Sequence, residues 1–170
     1  IDDYAFKSNS KIQNLTLPAN LETIGIAAFQ SCYNLKSLTF QNSIVSIGDK
    51  AFSSCNDLIE VVLPEGLLSL GDNVFENCRE LTKVALPDSL NNLGSRTFYN
   101  CANLKEIRLP ETLTTLPTST FSGCSKLTEI ALPDDLISID NYAFFNTTAL
   151  TQIYFPASLT YIGNRCFDGS

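Results

Sequence analysis

The sequence predicts a solenoid of the α/β class, wound from 23-residue repeats. Each repeat is expected to supply a parallel strand, a short helical turn and a second short extended segment. Two observations carry this expectation. Phenylalanine recurs at Phe6, Phe29, Phe52, Phe75, Phe98, Phe121, Phe144 and Phe167, always 23 residues apart, and these are eight of the eleven Phe in the chain. The other apolar columns keep the same interval: residues 49–71 carry Ala51, Phe52, Cys55, Leu58, Val61, Leu63, Leu67 and Leu70, and each has close counterparts one period away. One such unit cannot bury its own apolar face, so neighbouring units must stack and share a continuous core.

The elements follow from the columns in order. Three residues before most Phe stand Asp3, Asp49, Asp72, Ser95, Thr118, Asn141 and Asn164, with Ile26 the exception. These residue types cap helix N-termini, which predicts a turn or two of helix carrying the Phe inward. Next comes apolar-x-apolar alternation, as in Val61-Val62-Leu63 and Ile107-Arg108-Leu109. Period two marks a short strand with both apolar residues inward. Pro18, Pro64, Pro87, Pro110, Pro133 and Pro156 follow the strand, with Gln41 in the odd unit. Proline has no N–H to donate and ends the pairing. Leu67-x-x-Leu70 and its counterparts make a second inward pair on the opposite wall. Gly25, Gly48, Gly71, Gly94 and Gly163 then suit a turn with positive φ, and Pro117, which cannot adopt one, predicts a different turn in its unit. A 23-residue period falls within the ~20–29 residues of leucine-rich repeats, so the expected architecture is a gently curved leucine-rich-repeat solenoid with strands ~4.8 Å apart.

The composite pattern Ala-Phe-x-x-Cys-x-x-Leu-x-x-Ile-x-Leu-Pro-x-x-Leu-x-x-Ile-Gly resembles the BspA-like leucine-rich repeats of microbial surface proteins. Asp49, Ala51, Phe52, Cys55, Leu58, Val61, Leu63, Pro64, Leu67, Leu70 and Gly71 carry it almost whole, and the resemblance covers the entire chain. It implies a secreted or cell-surface protein, often an adhesin for host matrix or other cells. It carries no catalytic residues over. Residues 1–170 are expected to form a single array of about seven repeats, excised from a longer protein. The first residue is not Met, and neither end carries a polar capping unit. Uncapped ends could also stack on one another.

Composition narrows the function. A formal net charge of -7 leaves no basic footprint for nucleic acid. No apolar run reaches the ~18 residues of a membrane-inserted helix. His is absent, which removes the commonest general base and metal ligand, and no cofactor motif is present. No Ser or Cys has a base beside it, so no enzyme is expected. Cys32, Cys55, Cys78, Cys101 and Cys124 form one column, and Cys166 fills the small-residue column before Phe. Stacked side chains point the same way, one strand spacing apart, whereas a disulfide needs Cβ atoms ~3.8 Å apart and turned together. A ladder of buried free thiols is expected.

The outward strand positions are the candidate ligand-binding face: Glu60, Lys83, Glu106, Arg108, Glu129 and Tyr154, with Val62, Ala85 and Ala131 leaving a flat floor. They vary from unit to unit while the inward columns do not. Arg108 and Tyr154 are the residue types that most often anchor interfaces. The plainer alternative is that Lys83 pairs with Glu60 and Glu106 across strands. A weaker candidate lies on the helical side, where Tyr99 and Phe145 follow an in-register Phe: Phe145 is expected either to be exposed near Tyr142 and Tyr161 as a binding patch, or to belong to a locally covered patch or a contact to a missing neighbour. Glu65, Asp88, Glu111 and Asp134, with Asp135 beside the last, form an acidic ladder. It could hold Ca²⁺ or simply be a hydrated edge, and no metal site is assigned to it. Asn14 and Asn146 begin Asn-x-Thr tripeptides, which matter only in a eukaryotic source.

The expected function is therefore a secreted or surface-displayed binding and adhesion module. It would recognise a protein or glycan ligand, such as a component of host extracellular matrix, through one exposed face. The alternative is a structural spacer that presents another domain and has no ligand of its own.

Overall fold

The computed structural model describes residues 1–41 and 43–170. Among these residues eleven short strands run in chain order: β1 (Asn14–Thr16), β2 (Thr23–Ile24), β3 (Ser37–Thr39), β4 (Ser46–Ile47), β5 (Glu60–Val62), β6 (Ser69–Leu70), β7 (Lys83–Ala85), β8 (Glu106–Arg108), β9 (Thr115–Leu116), β10 (Ser138–Ile139) and β11 (Tyr161–Ile162). Every pairing is parallel and joins residues one period apart, such as Leu38 with Val61 and Val61 with Val84. The first wall is the sheet β1-β3-β5-β7-β8. The second wall is two sheets, β2-β4-β6 and β9-β10-β11. A third wall of turns carries the Phe column. Between the walls lies one core of the predicted columns, in which Phe29, Phe52, Phe75, Phe98, Phe121 and Phe144 are fully buried. Their rings stack face to face with centroids 5.3–5.9 Å apart.

The expected helical turn is corrected: the described residues contain no helix. The backbone of the third wall shows why. The amides of Lys50, Phe52 and Ser54 donate to carbonyls of the next coil, Asp72, Val74 and Glu76, at 2.7–3.0 Å. The intervening amides of Ala51, Ser53 and Cys55 donate three residues back, to Gly48, Lys50 and Phe52. Alternate amides thus serve the neighbour and the coil's own turn. A helix interior turns its amides to its own chain and is ~10 Å thick, twice the strand spacing, so it could not make these coil-to-coil bonds. The turns are closed by left-handed residues at two positions per coil, as at Lys50 (φ 58°) and Ser54 (φ 60°). Such a conformation costs a non-glycine residue ~1–2 kcal/mol, which the shared inter-coil hydrogen bonds offset.

The cap-type residues have another use. The Asp49 Oδ1 accepts the Asp72 amide at 2.9 Å, Asp72 Oδ1 accepts Ser95, and Asn141 Oδ1 accepts Asn164. Each terminates the backbone of the coil after it rather than of a helix. The glycine column is also corrected. Positive φ among glycines occurs at Gly66, Gly123 and Gly169, not at Gly25, Gly48, Gly71, Gly94 or Gly163. Gly94 is required because a Cβ there would lie 2.1 Å from the Gly71 carbonyl oxygen. Since this position needs no positive φ, Pro117 fits the common turn: Thr120 donates to its carbonyl at 3.3 Å, as Ala51 does to Gly48. What Pro117 lacks is the donor that Gly71 offers to Ile47. Among the described residues no backbone hydrogen bond joins 91–94 to 114–117, and here the second wall divides.

All six cysteines are buried and unpaired. The Phe52 carbonyl accepts both the Cys55 amide of its own coil and the Cys78 thiol of the next, at 3.2 and 3.3 Å. The same thiol-to-carbonyl contact recurs at Cys32, Cys55, Cys101 and Cys124. Cysteine suits the column because it is small and apolar yet carries a weak donor for that second lone pair. Burial pushes the Cys78 thiol up to about 12 and the others upward too. A folded thiol with a raised pKa holds its proton after the unfolded chain has lost it. Stability is therefore retained below the unfolded value of ~8.5 and falls as pH climbs from there toward 12. At pH 8 the native column should resist iodoacetamide while the chain in guanidinium labels at all six cysteines. Equal rates in the two states, followed by mass spectrometry, would contradict the buried ladder.

Candidate functional site

The outward positions of the first wall form two columns, because successive strand residues point to opposite faces. Glu60, Lys83 and Glu106 are register partners in one column, and Val62, Ala85 and Arg108 in the other. A parallel bridge from Arg108 to Ala131 continues the wall by one coil. Across these coils lies a groove of about 660 Å³. Its lining includes Lys83, Glu106, Arg108, Glu129 and Tyr154, with Gln152 and the small floor of Ala85 and Ala131. Five of the six candidate residues of the strand face are thus brought together. Glu60 lies one coil outside, beside Val62.

Charge in the groove is unevenly satisfied. Arg108 Nη1 donates to Asp88 Oδ1 at 2.7 Å, which draws its guanidinium toward the proline edge. Both partners are exposed, so the pair adds at most about 1 kcal/mol of stability, and its effect is to orient Arg108. Among the described residues Lys83, Glu106 and Glu129 form no ion pair within 4 Å. Lys83 therefore does not close the cross-strand pairs with Glu60 and Glu106 that its register invites. Tyr154 is the most exposed large hydrophobic side chain among the described residues, at 76%, and its hydroxyl is held by the Gln152 amide. No strand pairing joins Ala131 to Tyr154, and a smaller recess of about 220 Å³ opens there, lined by Ala131, Tyr154 and Phe155. Nothing in the repeat pattern marked this opening, since Ile153 and Phe155 keep the expected alternation.

The other candidates are placed differently. Tyr99 and Phe145 are half-buried on the turn wall, so Phe145 lies in a locally covered patch rather than exposed. Arg96 lies 3.8 Å over the Tyr99 ring and is itself held by Glu76 at 2.7 Å. Tyr142 packs edge-on against Phe145 at 5.7 Å, and Arg165, held by Asp168, covers its ring at 5.5 Å. Tyr161 lies in β11 on the second wall. The acidic ladder is exposed at Glu65, Asp88, Glu111, Asp134 and Asp135. Asp88 is taken by Arg108, and Glu111 accepts the Asp134 amide at 3.3 Å. Among the described residues no three His, Cys, Asp or Glu side chains gather around a point that could hold an ion. Asn14 is exposed in β1 and accepts the Ser37 hydroxyl, and Asn146 sits exposed in a left-handed turn.

Comparison with known proteins agrees with this architecture. Six copies of the BspA type leucine rich repeat region match residues 1–68 and 49–170. A leucine rich repeat protein of T. pallidum is 30% identical, with a TM-score of 0.86 over 89% of this chain and 71% of that one. One from Bacteroides ovatus is 32% identical, with a TM-score of 0.92 over 96% of this chain and 43% of its own. The pneumococcal vaccine antigen PcpA is 27% identical, with a TM-score of 0.60 over 96% of this chain and 49% of its own. The chain thus spans less than half of the latter two. No curated protein matches it. With the repeat pattern, the stacked coils and two such relatives in agreement, the chain belongs to the family of BspA type leucine rich repeat proteins.

Proposed function

We propose that this chain is a secreted or surface-displayed binding module that engages a protein or glycan through the groove of its first wall. The observation that carries the reading is the contrast between interior and groove. The inward columns stay aliphatic or aromatic from coil to coil, whereas Lys83, Glu106, Arg108, Glu129, Gln152 and Tyr154 mix both charges, an amide and an aromatic ring and converge on one concavity. A scaffold alone needs only the first; small-residue floors flanked by Arg and Tyr are what interface anchors use. Membership of the BspA type family and similarity to a protein described as a vaccine antigen support display outside the cell. No described helix is long and apolar enough to cross a membrane.

The test is a screen of the chain against extracellular-matrix proteins, host-cell extracts and glycan arrays, with an Arg108→Ala, Tyr154→Ala variant alongside. Both side chains are exposed, so the variant should keep its fold. Saturable binding that falls at least about 30-fold in the variant, as the loss of two anchors at 1–2 kcal/mol each implies, is the expected result. Binding that survives the variant unchanged would move the site off this groove. Absence of any ligand would favour the spacer.

A further inference from the structure

The groove's chemistry selects one kind of occupant. The geometry points to a receptor for a lysine or arginine side chain presented by an extended segment of a protein partner, seated over Ala131 between Arg108 and Tyr154. This inference rests on the proposed groove and specifies what enters it.

Three features combine. First, Arg108 and Ala131 are bridge partners and Tyr154 is the corresponding residue one coil further on. Arg108 and Tyr154 therefore flank Ala131 on the coils either side of it, with only a methyl group between them. That slot admits one side chain. Its walls are apolar or aromatic, the Arg108 stem on one side and the Tyr154 ring on the other, and a long aliphatic chain can pack along both. Second, the charges over the slot are negative and unspent. Glu106 and Glu129 are one period apart in the same outward column, both exposed, and neither has an ion-pair partner among the described residues. Of the two cations that line the groove, Arg108 is turned aside and neutralised by Asp88 at 2.7 Å, and Lys83 stands beside Glu106 at the far end, two coils before Glu129. Third, Tyr154 offers an exposed ring to which a cation is attracted by the quadrupole of its face. A guest carboxylate would meet two glutamates, and a neutral sugar would leave them unanswered. The net charge of -7 would speed the encounter with a basic segment at low ionic strength.

The open end of the wall favours an extended guest. The wall ends its pairing at Ala131, and the recess beside Tyr154 lets a strand-like segment lie along the groove while its alternate residues point in and out.

The experiment uses the chain labelled with ¹⁵N and two blocked pentapeptides, one with a central lysine flanked by serines and one with norleucine in its place. The lysine peptide should produce saturable shifts centred on Glu106, Ala131 and Tyr154, with an affinity about tenfold or more above that of the norleucine peptide. Glu106→Gln with Glu129→Gln should abolish that difference, Tyr154→Leu should reduce it, and Glu22→Gln, on the second wall, should leave it intact. Raised salt should weaken the lysine peptide alone. Equal binding of the two peptides, or shifts spread along Glu65, Asp88 and Glu111, would overturn the inference. If matrix or glycan binding in the screen depends on Arg108 and Tyr154 but the lysine peptide does not bind, this inference falls and the groove stands. If neither binds, both fall.

Discussion

Phe75→Ala should destabilise the array by about 3–5 kcal/mol, lowering its thermal midpoint by roughly 10 °C. Phe75 is wholly buried, with the Phe52 and Phe98 rings 5.8 and 5.9 Å from its own. Truncation leaves a ring-sized void between two flat faces. Those faces cannot close on each other, because the Phe52 amide is bonded to Val74 and the Phe75 amide to Thr97. The spacing of the rings is set by the backbone, so the cavity persists and the cost lies at the upper end of such substitutions. Phe6→Ala is the control: Phe6 is 40% exposed and stacks on Phe29 alone, so about 1 kcal/mol is expected. Unfolding followed by far-UV circular dichroism measures both. Similar small losses at the two positions would mean that the ring column is not the spine of the core.

Gly94→Ala should cost about 3 kcal/mol or more, although alanine is ordinarily a mild replacement. Its φ is not the difficulty. The added Cβ would lie 2.1 Å from the oxygen and 2.3 Å from the carbon of the Gly71 carbonyl, and 2.6 Å from the Asp72 nitrogen. All three are backbone, so only a displacement of whole coils relieves the clash. Gly123→Ala separates the two roles of glycine. There the backbone is left-handed (φ 77°), but the clashing atom is the tip of the Asn100 side chain, which can rotate away. Its cost should be about 1–2 kcal/mol, that of the backbone conformation alone. Chemical denaturation of the two variants tests the order, and a Gly123→Ala loss larger than that of Gly94→Ala would refute the close-approach account.

The columns were legible because stacking at a fixed interval makes each position repeat one physical demand. The Phe ring reappears every 23 residues without exception, and the buried thiol and the strand-ending proline reappear in most coils, with Thr147 and Gln41 among the substitutes. What misled was chemistry that serves two structures equally. Asp49 and Asn141 are as fit to cap a helix as to hold the first amide of the next coil, and only the alternation of the turn amides decides between them. Gly94 looked like a turn residue because glycine is the usual answer to positive φ, yet its partner is a backbone one period away. Phe145 could pass for exposed because its column is otherwise polar. Its cover, Arg165, comes from the next coil and is invisible to a search along one unit. On the first wall, strand alternation placed Lys83, Glu106, Arg108, Glu129 and Tyr154 outward, but the concavity depends on Ala85 and Ala131 and on where pairing stops.

The alternation of amides on the third wall also governs how such a protein can change over generations. Deleting one residue from a coil would reverse the parity of every amide beyond it in that turn. Donors that reached the neighbour would face their own chain, and the left-handed positions would fall on the wrong residues. An indel of odd length within this turn therefore disrupts the stacking of the coils, while duplication, loss or exchange of whole units leaves the pattern of inter-coil bonds intact. Lineages built this way lengthen in whole quanta. Recombination between units can reshuffle outward residues such as Arg108 and Tyr154 as portable cassettes without reopening the question of whether the chain will fold.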